Sequence, residues 1–122
     1  MNLTTTLVVD DSLFMRRVIG EAIADIGCND IHFAKDGIEA VKIATALKPD
    51  LVTLNITMPN MNGMDAIEKI LEISPASKIV MISAMHDQKT IQRAKEKGSI
   101  DYIVKPFEKT SLENVLKDHF EY

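Results

Sequence analysis

Residues 78–83, Lys78-Ile79-Val80-Met81-Ile82-Ser83, place four apolar side chains at consecutive positions between a charge and a hydroxyl. Successive side chains of a strand point to opposite faces, so an unbroken apolar run of this length describes a strand buried on both sides, as in a parallel sheet covered by helices. Working outward, Leu7-Val8-Val9 repeats the pattern within a run from Thr6 to Val9, and further runs stand at Ile31 to Ala34, Leu51 to Leu54 and Ile100 to Val104. Between them lie apolar residues three and four apart: Phe14, Val18, Ala22, Ile23 and Ile26, then Ile38, Val41, Ala44 and Leu47, then Met64, Ile67, Ile70 and Leu71. A last helical pattern, Leu112, Val115, Leu116 and His119 or Phe120, is complete by Tyr122. The segment from Asp87 to Lys97 differs, with only Ile91 and Ala94 among Lys89, Arg93, Lys95 and Lys97, and is expected to pack shallowly. Gly27 and Gly98 sit where helices should stop in a left-handed conformation, and Pro49 and Pro75 mark turns before strands. Five strands alternating with five helices predict an α/β fold, a doubly wound five-stranded parallel sheet, whose chemistry gathers at the carboxyl ends of the strands.

The chain's 122 residues suffice for one domain, 1–122, large enough for its own core. Cys28 is the one cysteine, which excludes an intramolecular disulfide and a multi-cysteine metal site and points to a reducing, cytoplasmic setting. With 14 Lys and Arg against 18 Asp and Glu and no long basic block, a surface built to grip nucleic acid is not expected. The stretch Met1 to Asp11 lacks a basic start and reaches two acids before any long apolar run, so neither a signal peptide nor a membrane anchor is expected.

Polar groups stand at four strand ends: Asp10-Asp11 after Val9, Asn55 after Leu54, Ser83 after Ile82, and Lys105-Pro106 after Val104. Adjacent carboxylates repel one another in a cleft unless a cation is present, which suggests a hard divalent ion such as Mg²⁺ with oxygen ligands. A lysine and a serine hydroxyl add charge neutralisation and orientation for phosphoryl oxygens. The competing explanation for the acids is helix capping by Asp11 or Ser12, which accounts for one acid and not for two.

These residues resemble a family, the receiver domains of two-component response regulators, in their CheY-like single-domain form. The resemblance spans essentially the whole chain and rests on Val8-Val9-Asp10-Asp11-Ser12, Lys48-Pro49-Asp50-Leu51-Val52, Met58-Pro59-Asn60-Met61-Asn62-Gly63, Ser83-Ala84 and Val104-Lys105-Pro106-Phe107. It implies a flavodoxin-like (βα)5 fold in which Asp10 and Asp11 bind Mg²⁺ and Thr57 lends its backbone carbonyl to the metal. Ser83 is then the switch hydroxyl, Lys105 contacts the phosphoryl group, Tyr102 is the aromatic that moves with the switch, and the Lys105–Pro106 bond is cis. It further implies a phosphorylation-controlled signalling switch, possibly in chemotaxis, fed by a histidine kinase. The output protein would meet the face of the fourth helix, fifth strand and fifth helix, where Ile91, Lys95, Tyr102, Lys109 and Glu113 should be exposed. Such a chain is expected to act as a monomer and not as an enzyme on a diffusible substrate.

One residue departs from the pattern. The family's phosphoacceptor is an Asp at the end of the third strand, and here Asn55 holds that place. An amide oxygen is a poor nucleophile, its lone pair delocalised onto nitrogen, so the acceptor position is expected to be disabled. As a remaining metal ligand Asn55 would weaken Mg²⁺ binding without abolishing it, and Lys105, losing an anionic neighbour, is expected to swing more freely. The retention of every other group favours an Asp replaced by Asn in a working receiver. The alternatives are a natural phosphate-independent pseudo-receiver and a receiver excised from a DNA-binding transcription regulator.

Overall fold

The computed structural model describes residues 3–120, so Met1 and the expected helix end at Tyr122 lie outside the described residues. The elements are β1 (Thr5–Val9), α1 (Leu13–Asp25), β2 (Asp30–Ala34), α2 (Gly37–Leu47), β3 (Leu51–Leu54), α3 (Gly63–Ile73), β4 (Lys78–Ser83), α4 (Gln88–Lys97), β5 (Asp101–Val104) and α5 (Lys109–His119). Every strand pairing is parallel and the sheet order is β2-β1-β3-β4-β5. The chain steps from β1 to β2 on one side and returns to β3 on the other. A crevice opens where the direction reverses, at the carboxyl ends of β1 and β3.

The apolar runs bury both faces, as read. Leu7, Val9, Val52, Leu54, Ile79 and Met81 pack with Ala40, Ala44, Met64, Ile67, Ile70 and Ala94 of α2, α3 and α4. Val8, Leu51, Val80, Ile82 and Ile103 pack with Ile19, Ala22, Ile23, Leu112 and Leu116 of α1 and α5. In α4 only Ala94 is buried, which matches the shallow packing read from its charges. Lys97 pairs with Glu68 across α3 and α4, and Lys109 pairs with Asp25 across α1 and α5.

Two helical faces differ from expectation. Phe14 is 71% exposed and Val18 half-buried, while Ile19 is buried, because the first turn of α1 overhangs the end of the sheet. In α2, Ala44 is buried as expected, but Ile38 and Leu47 are exposed and Gly37 and Ala40 are buried instead. A strict three-residue spacing drifts about 60° per step around a helix of 3.6 residues per turn, so a stripe from Ile38 to Leu47 turns to the opposite side. Gly27 and Gly98 take positive φ, at 104° and 120°, as expected at helix ends. Lys48, with φ 46°, performs the same duty for α2 without being a glycine.

The pole opposite the crevice is fastened at both described chain ends. The Thr4 and Thr5 amides donate to Asp50 Oδ2, each at 2.9 Å. The Lys78 ammonium donates to the His119 carbonyl and lies 4.9 Å from the Phe120 ring centroid. Among the described residues no helix is long and apolar enough to cross a membrane.

Candidate functional site

β1 and β3 end level with each other. Val9 lies opposite Leu54, and the Asn55 amide donates to the Val9 carbonyl at 3.0 Å, which sets Asn55 beside Asp10 at the crevice. Helix capping is done by Ser12, whose hydroxyl accepts the Met15 N–H at 3.2 Å, so neither acid is needed for it. Asp10 is 1% exposed and fully engaged: Oδ1 accepts the Ser12 N–H at 3.0 Å, and Oδ2 accepts the Lys105 ammonium at 2.6 Å. The Asp10 backbone carbonyl also accepts Nη1 of Arg16 at 2.8 Å. Asp11 is exposed at the crevice mouth.

Asn55 is buried, and its Nδ2 donates to the Thr57 carbonyl at 3.1 Å and, at a longer 3.4 Å, to Asp11 Oδ1. Both partners can only accept, so the chemistry of the contacts requires the amide nitrogen to face them. Lys105 corrects an expectation. It does not swing free of the cleft; with no anion at position 55 its ammonium turns to Asp10, and its side chain is only 17% exposed. The Lys105–Pro106 bond is cis, as anticipated.

The loop between β3 and α3 is held from two sides. Gly63 donates to the Ile56 carbonyl at 2.8 Å, in a spot where a Cβ would run into the Asn55 carbonyl. Asn60, in the left-handed region at φ 66°, donates from Nδ2 to Asp36 Oδ2 at 2.8 Å, and Gly37 donates to the Met61 carbonyl at 3.0 Å. The Glu39 N–H, donating to Asp36 Oδ1, and then the Asn60 amide hold the Asp36 carboxyl below its ordinary range, against the opposing pull of burial. This clasp and Arg16 were not read from the sequence. The cluster of turn-forming residues Pro59-Asn60-Met61-Asn62-Gly63 was the available signal for the clasp.

At the end of β4, Ser83 is buried, and its hydroxyl accepts the Met85 N–H at 3.1 Å. The Tyr102 hydroxyl donates to the Met85 carbonyl at 2.6 Å. Burial pushes the Tyr102 phenol up, with the neighbouring Ser83 hydroxyl working against it. The structure thus brings Asp10 and Lys105 together as one hydrogen-bonded pair and, beside it at the crevice, Asn55 with Asp11 and Thr57. Ser83 and Tyr102 form a second group at the adjoining strand ends, and Ser83 makes no side-chain hydrogen bond to Asp10, Asn55 or Lys105.

As built, this cleft does not fit the Mg²⁺ that the resemblance implies. Both Asp10 oxygens are occupied and the Thr57 carbonyl faces an N–H. Among the described residues, no group of three or more His, Cys, Asp or Glu side chains could hold a metal.

The family model described as the response regulator receiver domain matches residues 6–117. The chain belongs to the response regulator receiver domains. This receiver is 44% identical over 110 residues to the chemotaxis protein CheY of Thermotoga maritima, covering 90% of this chain and 92% of that protein. It is 44% identical over 102 residues to CheY of Listeria monocytogenes, covering 84% of this chain and 86% of that one. Among solved structures, a chain of the CheX–CheY–BeF3–Mg complex from Borrelia burgdorferi matches with a TM-score of 0.92 and 31% identity, over 98% of this receiver and 90% of that chain. The parallel sheet order is therefore that of the CheY-like fold.

Proposed function

We propose that this receiver is a conformational signalling switch of a chemotaxis-type two-component pathway, silenced at its phosphoacceptor position. The observation that carries this reading is Asn55. It stands where the third strand meets the crevice, beside a buried acid and an inward lysine, and its amide nitrogen is turned toward the other cleft residues. A carboxylate oxygen at that position could attack the phosphorus of a phosphohistidine donor and leave as an acyl phosphate; an amide oxygen lacks the electron density to do so. The group that would steady the transferring phosphoryl, Lys105, is retained, as is the switch pair Ser83 and Tyr102.

A histidine kinase is the donor this cleft answers to, and the chain is its substrate rather than an enzyme turning over a diffusible metabolite. The output partner is met at α4, β5 and α5, where Ile91, Lys95, Ser99, Ile100, Asp101 and Tyr102 line a groove of about 220 Å³ and Ile100 is 41% exposed. Lys109, expected to be exposed on that face, is exposed and pairs with Asp25 of α1. The intact surroundings of Asn55 favour an Asp replaced by Asn in a working receiver. The second reading, a phosphate-independent binding module, is favoured by the satisfied hydrogen bonds that Asn55 itself makes.

Incubating Asn55→Asp with acetyl phosphate and Mg²⁺ separates them. A mass gain of one phosphoryl group, with none on the unaltered chain, supports the silenced switch. No gain on the variant assigns the chain to the binding-module class.

A further inference from the structure

The charges of the crevice already balance. Asp10 and Asp11 are opposed by the Lys105 ammonium, 2.6 Å from Asp10 Oδ2, and by the Arg16 guanidinium, 2.8 Å from the Asp10 carbonyl. The Thr57 carbonyl is answered by Asn55 Nδ2 at 3.1 Å, and the same nitrogen reaches Asp11 Oδ1 at 3.4 Å. An N–H pointed at a carbonyl and a carboxylate does electrostatically what a cation does there: it presents positive potential to both oxygens at once. With an aspartate at position 55 that donor would be absent. A third carboxylate would join Asp10 and Asp11, and like charges crowded in a cleft call for a cation.

We propose that this receiver's cleft is built to stand without a divalent cation, with the Asn55 amide and the Lys105 ammonium taking over its two tasks. The amide bridges the Asp11 carboxylate and the Thr57 carbonyl, and the ammonium neutralises Asp10. For Mg²⁺ to enter, the Asn55 amide must rotate its oxygen toward the ion and give up two donated bonds. Asp11 would then be the one carboxylate left free for the ion, with the Asn55 oxygen, the Thr57 carbonyl and waters needed to complete a strict octahedron. Selecting Asn at this position therefore exchanges a cation-dependent pocket for a self-contained one, and the shape offered to a partner no longer follows the Mg²⁺ concentration. This inference rests on the reading of the crevice as a receiver's phosphoryl cleft.

Two readouts test it on the full chain: thermal unfolding, and backbone amide NMR signals of Asp11, Asn55 and Thr57, each with MgCl2 and with NaCl at equal ionic strength. The unaltered chain should show no Mg²⁺-specific change in either. Asn55→Asp should unfold at a lower temperature than the unaltered chain in NaCl, regain several degrees with MgCl2, and show saturable shifts at the three amides. The difference in Mg²⁺ affinity should be at least roughly tenfold. A Mg²⁺-specific, saturable shift of the unaltered chain at an affinity comparable to the variant's would overturn the inference and leave the receiver reading standing. Silence of both proteins would instead remove the reading of the crevice as a phosphoryl cleft, on which the inference rests. A variant that failed to fold in NaCl but folded in MgCl2 would support the proposal in its strongest form.

Discussion

Replacing one carboxylate oxygen by an NH2 group reverses the direction of the bonds around position 55: acceptors that would gather about a cation now receive N–H donors from the chain itself. That reversal explains why Lys105 lies on Asp10, since Asp10 is the buried anion left for it. A residue on β3 itself shows the cost of an unanswered polar group. The Thr53 hydroxyl is buried with no hydrogen-bond partner. Thr53→Val keeps the shape and removes the orphan, and should raise the free energy of unfolding by about 1 kcal/mol, read from the urea midpoint at constant m-value. Tyr102→Phe should act the other way, freeing the Met85 carbonyl and destabilising the chain by roughly 0.5–1.5 kcal/mol in the same assay. The acids, Ser83 and Lys105 were legible in the sequence because each follows an apolar strand and parallel sheets collect their polar groups there. Lys105's partner was not legible, because a flexible four-carbon stem reaches several anions and only packing chooses among them.

At the level of elements, the loop from Asn55 to Asn62 is shaped by what surrounds it. Gly63 closes on the Ile56 carbonyl with no space for a side chain, and α2 holds the other flank through Asp36, Gly37, Asn60 and Met61. Gly63→Ala must push the loop away from the Asn55 carbonyl. The expected result is a loss of about 2 kcal/mol together with displaced Asn55 and Thr57 amide signals. A variant as stable as the parent with unmoved signals would show that the loop has slack. Strand limits read from the sequence agree with the structure to within one residue, because consecutive apolar positions leave little choice of register. Helix faces were less legible. Phe14 and Ile38 carry the chemistry of core residues, but an overhanging first turn and a drifting stripe leave them in water. Nothing local marks Asp36, Asn60 and Met61 as neighbours, since their meeting depends on α2 and the β3–α3 loop sharing one edge of the crevice.

Taken as a whole, the molecule keeps several carboxylates anionic through local donors. Asp30 is held below its usual range chiefly by the Thr5 hydroxyl, Asp36 by the Glu39 N–H, Glu68 by Lys97, and Asp87 by the Thr90 hydroxyl. A carboxyl with a depressed pKa in the folded state binds fewer protons there than in the unfolded chain. Its stabilising contribution is complete above the unfolded value and disappears as pH falls through the folded one. The urea midpoint should therefore decline steadily from about pH 5 down to about pH 2, and less steeply in Asp36→Asn. A midpoint indifferent to acid over that range would contradict these assignments. The fastenings at Asp50 and at Lys78 bring Leu3 and Phe120 out at the pole away from the cleft. A bead, reporter or neighbouring module tethered through either end would consequently hang beneath the sheet, holding the crevice outward like a cup toward whatever approaches it.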